Sequence, residues 1–206
     1  YGNTDFRLNA SQPVSLVYDD VVQENPILKG FPAFDLAQVE VLRGPQGSLF
    51  GRNTPAGVVK FESVRPTFAR MEGYGTVSLG TLSTVNAEGA VNMPLSATSA
   101  LRVSLLSQTR KDWVENTLAA GPTQDLEGYR DNALRVQWLT QPSKDFSALV
   151  NLHARDYDGS ARLFRANIIR VGSNDFVDGF DEKKISIDGR NESELQNYGG
   201  SVKLRW

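Results

Sequence analysis

The chain has 206 residues, 40% hydrophobic and 22% charged, with a formal net charge of −2; so even a balance argues against nucleic acid as a partner, because phosphate binding needs a basic face. Cysteine is absent and histidine occurs once, as His153, which excludes disulfides, thiolate metal sites, a cysteine nucleophile and His-rich zinc sites. No run of 18 apolar residues occurs, so no transmembrane helix is expected, whereas a β-barrel wall needs only alternation and stays open.

The chain opens at Tyr1 rather than Met, so processing or truncation is expected. Residues 1–67 hold six of the nine prolines. Strand-like runs stand at Val14–Tyr18, Val39–Leu42 and Val58–Val64, each ended by turn residues. Irregular stretches, Asp19–Gln38 and Arg43–Gly57, lie between them, with a short helical turn expected at Phe34–Gln38. This segment reads as a small mixed α/β unit.

Residues 68–206 alternate with period 2 in six successive runs. Met71, Gly73, Gly75, Val77 and Leu79 share one parity, followed by Val85, Ala87, Gly89, Val91 and Met93. Leu101, Val103 and Leu105 oppose Arg102, Ser104 and Gln108; Leu134, Val136 and Trp138 oppose Arg135 and Gln137. Phe146, Ala148, Val150, Leu152 and Ala154 oppose Ser147, Asn151, His153 and Arg155; Val202, Leu204 and Trp206 oppose Ser201, Lys203 and Arg205. The apolar parity carries no charge in any run. A Lys or Arg facing lipid at the bilayer midplane costs about 2–4 kcal/mol, while a wet lumen accepts charge freely. A soluble sandwich would also alternate, so the pattern alone leaves both open.

Connection lengths separate them further. The links at Pro94–Ser99 and Gln141–Lys144 are short, and those at about Thr109–Asn132 and Asp156–Glu194 are long and polar, the outer-membrane barrel pattern. The short link at Gly80–Thr84 fits less well. Trp138, Phe146 and Trp206 all sit on the apolar parity at the short-turn side, where an interfacial aromatic girdle belongs.

The most specific stretch is VEVLRGPQGSLFGRNTPAG, residues 39–57. It reads as a strand, a break at Arg43-Gly44-Pro45, a short turn and a second glycine-rich bend. Gly44, Gly47, Gly51 and Gly57 permit positive φ and close backbone packing. The Gly-Lys-Ser/Thr ending of a phosphate loop is missing.

This stretch resembles the plug signature of TonB-dependent outer-membrane receptors. VSLVYDDVV (14–22) is similar to that family's strand and Asp-Gly-type turn, with Asp20 where glycine is usual. Residues 34–67 follow the family pattern nearly throughout, and residues 92–116 resemble its first periplasmic turn and third strand. The resemblance implies an all-β-dominated chain: residues 1–67 are the C-terminal part of a small α/β plug. Residues 68–206 are then the first part of an antiparallel outer-membrane barrel, about six of its 22 strands. It further implies a bacterial outer-membrane transporter, not an enzyme, in contact with outer-membrane lipid. TonB would act through an N-terminal segment missing here.

On that reading the cargo is a scarce chelated ligand, with a ferric siderophore first and cobalamin, haem or oligosaccharide as alternatives. A non-energised outer-membrane binding or adhesion protein is the other alternative. The loop Val21–Phe34 faces the ligand in relatives, which points to Gln23, Glu24, Asn25, Lys29 and Phe31: polar hydrogen-bonding groups plus an aromatic ring suit a chelate. In the family the arginine matching Arg43, three residues after Glu40, helps hold the plug against barrel-wall carboxylates. Gly44, Pro45, Gly47, Gly51 and Gly57 shape the motif. No cofactor or resident metal is expected: the acidic groups at Asp156–Gly159 and at Asp175, Asp178, Asp181 and Glu182 lack EF-hand spacing. Asn191-Glu192-Ser193 matches a glycosylation sequon, of little weight in a bacterial protein. A soluble β enzyme would need a converging acid/base pair, and Asp19 and Asp20 point apart if extended.

Overall fold

The computed structural model describes residues 13–23, 32–118, 120, 125–161 and 163–206. The first sheet is built from β1 (Val14–Tyr18), β2 (Val21–Gln23), β3 (Leu36–Arg43) and β4 (Gly57–Ser63), in the order β2-β1-β4-β3. β1 and β4 run parallel and the other two pairs antiparallel. Between β3 and β4 stands a single helical turn, α1 (Gly47–Phe50).

The chain then enters β5 (Glu72–Leu79), β6 (Val85–Ser96) and β7 (Ser99–Arg110). Three short strands follow or intervene among the loops: β8 (Val114–Asn116), β9 (Asp125–Leu126) and later β12 (Lys184–Ile185). The long strands resume with β10 (Tyr129–Thr140), β11 (Ser147–Gly159) and β13 (Ser193–Arg205). β5, β6, β7, β10, β11 and β13 pair in chain order as one antiparallel meander. They are the six alternating runs of the sequence. The expected boundaries shift outward at the loops: β11 continues to Gly159 and β13 begins at Ser193.

Strand direction alternates, so Gly80–Thr84 lies on the same edge as the two long loops. Residues 97–98 and 141–146 lie on the opposite edge. One edge therefore carries only short turns, and Gly80–Thr84 is the one short link on the long-loop edge. The two long loops pair with each other: β12 runs parallel to β8, and β9 antiparallel to it. Asn116 extends this ladder with its side chain, donating to the Ile187 carbonyl at 2.9 Å and accepting the Ile187 N–H at 3.1 Å.

The large sheet is polar inside and apolar outside. Gly75, Gly89, Leu105, Leu134, Ala154 and Tyr198 stand opposite one another across all six strands. Leu105, Leu152, Val202 and Tyr198 on this face are 55, 57, 65 and 87% exposed. The other face packs on the small sheet, and there Asn92, Arg102, Ser104, Arg135, Gln137 and Asn151 are buried. Water would not select this order, because it strands large apolar side chains on a continuous surface. Lipid outside and a filled, polar lumen inside would.

One expectation fails. Phe34–Gln38 forms no helical turn: Asp35 stands in the left-handed region at φ +49° and β3 starts at Leu36. Tertiary contacts decide this, since Phe34 is buried against Leu106 and Ala133. The strand at Val21–Gln23 was hidden in the stretch read as irregular.

Candidate functional site

The two sheets meet along a polar seam, and its centre is Asp35. Phe34 drops into the apolar contact with Leu106 and Ala133, and the next residue turns its carboxylate onto the large sheet. Arg102 grips that carboxylate with two parallel bonds, Nε to Oδ2 at 2.8 Å and Nη2 to Oδ1 at 2.6 Å. The Ser104 hydroxyl donates to Oδ2 as well. Arg135 lies on the other side, with Nη2 3.7 Å from Oδ2. Arg135 also donates to the carbonyls of Phe34 (2.8 Å) and Asp35 (3.0 Å) and to the Tyr18 hydroxyl (2.5 Å). Its guanidinium covers the Phe34 ring at 4.6 Å.

Register explains the convergence. Ser104 and Arg135 are cross-strand partners, and Arg102 lies one inward-facing position along from Ser104 on β7. The Asp35 N–H donates to Glu88 on β6 at 3.0 Å, and Glu88 also accepts the Tyr74 hydroxyl. Two guanidinium groups thus meet two carboxylates. Burial works against ionisation of Asp35, but the bonds from Arg102 and Ser104 and the charges of Arg102 and Arg135 prevail. They hold its carboxyl below the ordinary aspartate range.

The β1–β2 hairpin makes the second contact. Its two turn residues, Asp19 and Asp20, both have positive φ, the geometry of a two-residue hairpin turn. They are not extended, yet they do part company. Asp19 accepts the Ser63 N–H (2.8 Å), the Ser63 hydroxyl (2.6 Å) and Asn151 Nδ2 (3.1 Å). Asp20 pairs with Lys203 of β13 and lies 3.4 Å from Lys60 Nζ. The Lys203 hydrogen bond keeps the Asp20 carboxyl low, against a smaller burial effect. This outer pair is half exposed and contributes little, whereas the buried Asp35 pair is costly to break from one side.

A third contact pins the connection between the sheets. Asn92 is fully buried. Its Oδ1 accepts the Thr67 N–H at 2.8 Å, and its Nδ2 donates to the carbonyls of Thr67 (3.1 Å) and Arg70 (2.8 Å).

Of the proposed ligand-contacting residues, Glu24, Asn25, Lys29 and Phe31 lie outside the described residues. Gln23 ends β2 and lines a cavity of about 260 Å³ with Tyr18, Val21, His153, Asn197 and Gly199. That space suits a few waters and is small for a whole chelate. Nearer the loop edge the same face carries Tyr129 and Tyr157, stacked with centroids 6.5 Å apart, with Arg110 over the first ring and Arg155 over the second. Arg155 forks onto Asp131 at 2.8 and 2.7 Å.

The signature residues form the β3–β4 connection. Glu40 lies on β3 opposite Lys60 and accepts from Gln38 Nε2 at 3.0 Å. Arg43 ends β3 and is exposed. Gly44 stands at φ +85°, followed by exposed Pro45, and its N–H donates to the Ala56 carbonyl at 3.1 Å. Gln46 N–H does the same to Thr54, Gly47 opens α1 and Gly51 closes it. Gly57 begins β4. The motif thus folds a tight, hydrogen-bonded end onto the small sheet. Among the described residues no group of three or more His, Asp or Glu side chains is arranged to hold a metal.

Sequence reading missed Asp35, Glu88, Arg102, Ser104 and Arg135. The sign was there for the wall residues, which lie on the charged parity. Nothing local joins them to Asp35, 67 and 100 positions away from Arg102 and Arg135.

The family model for the TonB-dependent receptor plug domain matches residues 3–58. The fold is similar to that of the ferric yersiniabactin uptake receptor of Yersinia pestis, at 21% identity over 93% of this chain and 29% of that one, with a TM-score of 0.68. It is also similar to a siderophore receptor of Acinetobacter baumannii (14% identity, 92% and 26% coverage, TM-score 0.66). A third likeness is to the ferripyoverdine receptor of the outer membrane of Pseudomonas aeruginosa (17%, 92% and 25%, TM-score 0.62). The chain spans less than a third of the length of each. Residues 3–58 thus match the plug-domain family of TonB-dependent receptors, and the fold of the chain is similar to that of these outer-membrane receptors.

Proposed function

We propose that the whole receptor imports a ferric siderophore across the outer membrane. Residues 1–67 are its plug and residues 68–206 the first six strands of its wall, with the long-loop edge outside. One observation carries the reading: a buried ion-paired seam joins a plug sheet to a wall whose outer face is apolar. A static pore would have no use for a stopper held this way.

In this reading ligand arrives from the loop edge, meets the Tyr129–Tyr157 face, and touches the loop that carries Gln23, Glu24, Asn25, Lys29 and Phe31. TonB, pulling on a segment upstream of these residues, then opens the seam. Arg43, exposed at the end of β3, faces wall strands beyond the six described. No bond is made or broken, so the receptor needs no catalytic group.

The test is uptake of radioactive iron by iron-starved cells with and without the receptor gene. Iron would be supplied as a catecholate, a hydroxamate or a mixed-donor chelate, with haem and labelled cobalamin as controls. The expected result is loss of uptake of one ferric chelate on deletion of the receptor or of TonB. Replacing Gln23 and Phe31 together by Ala should weaken binding of that chelate at least tenfold. Uptake of every ferric chelate unchanged by deletion would overturn the reading.

A further inference from the structure

The wall side of the seam is a complete carboxylate receptor. Arg102 presents Nε and Nη2 side by side, the fork that matches a carboxylate. Ser104 adds a hydroxyl donor to Oδ2, and Arg135 a second positive charge beside it. All three side chains are at least nine-tenths buried.

Their partners are lopsided. Among the described residues the hydrogen bonds of both arginines run to the plug: Arg102 to Asp35, and Arg135 to Tyr18, Phe34 and Asp35. Even with the plug seated, Arg135 Nε is buried with no partner among the described residues. When the plug moves, Arg102 and Arg135 keep Glu88, and Glu72, which also acts on Arg102, is matched by its own partner Arg70, so one positive charge is in excess. Stranded guanidinium groups in a narrow lumen are costly, and a monoanion is what the remaining charge accepts.

Asp35 itself is held unusually. It reaches the site from a left-handed backbone, φ +49°, which most residues avoid. The plug bends to deliver a carboxylate there.

We infer that Arg102, Ser104 and Arg135 form a carboxylate-binding site on the wall, filled by Asp35 while the plug is seated and open to a carboxylate of the cargo once it shifts. The site itself stands without the transport reading; only its use by cargo rests on it.

The experiment uses the purified full-length receptor and acetate, which reproduces the aspartate side chain. Asp35→Gly empties the site without adding strain, because glycine accepts left-handed φ. Hydrogen exchange of β3 amides reads the seam. Exchange should quicken in Asp35→Gly, and acetate should slow it again, saturably and by at least fivefold. Acetate should add nothing to the unmodified receptor or to Asp35→Gly/Arg102→Gln, and chloride at equal ionic strength should not substitute. No more effect from acetate than from chloride, or equal protection in the double variant, would overturn the site. Should Asp35→Gly refold poorly, refolding yield in acetate against chloride reads the same contact.

The cargo half is tested by competition. The iron complex of citrate, which keeps free carboxylate, should displace acetate from Asp35→Gly, and neutral ferric acetohydroxamate should not. Competition by both or by neither overturns that half. None of these readouts uses uptake, so failure of the transport reading would be seen separately.

Discussion

Gly57 illustrates what a single residue decides here. It stands at φ +145°, and a Cβ added to it would lie 2.3 Å from the Leu42 carbonyl oxygen. It pairs with Val14 on one side and Arg43 on the other, so it joins three strands. Gly57→Ala should therefore cost about 1–3 kcal/mol in strained backbone and loosen the plug while leaving the wall intact. Limited proteolysis of the assembled receptor would report this as faster cleavage within residues 36–63. Unchanged cleavage would show that the close approach relaxes cheaply. The need for glycine was legible in the motif, because conformational freedom is local. The role of Asp35 was not: an Asp before a strand is common, and only its partners on β7 and β10 give it meaning.

Among elements, the wall strands were the most legible. Period-2 alternation is a property of each strand alone, and it marked β5, β6, β7, β10, β11 and β13 in turn. The short strands β2, β8, β9 and β12 were not legible, because two or three residues carry no period. Phe34–Gln38 was misread because tertiary packing on Leu106 and Ala133 overrode the local pattern. The alternation also predicts which face tolerates charge. Leu134→Arg on the apolar face should cost about 2–4 kcal/mol if it lies near the bilayer midplane. Gln108→Arg, on the plug-facing parity, should stay within about 0.5 kcal/mol, as for surface changes away from key contacts. Folding titrations of the receptor in lipid vesicles would compare them. Equal costs would contradict the assignment of faces.

For the molecule as a whole, stability of the seam is tied to pH. The Asp35 carboxyl is held low, so its contribution is fully present above the ordinary aspartate value, about 3.9. It declines as pH falls from there through the depressed value. Protection of the plug against an acid-tolerant protease should thus stay flat from neutral pH to about 4.5, then fall. Asp35→Asn should lower the plateau and flatten the acid limb. A wild-type decline near pH 6 would point to a different group. Fold class could be read from the chain because a meander is assembled from neighbours. The joining of plug to wall could not, because every contact in it spans distant segments.

The clamp on the connecting segment also limits range. Between Ser63 and Glu72 the free chain could extend by about 3.5 Å per residue, nearly 30 Å in all. With Thr67 and Arg70 tied to Asn92 and the Val64 N–H bonded to the Asp35 carbonyl, only Arg65 and Pro66 remain as leash, roughly 7 Å at full stretch. While those bonds hold, this end of the small sheet stays within that distance of β6. In the transport function proposed above, its travel would be that of a swinging gate, with the post at Asn92.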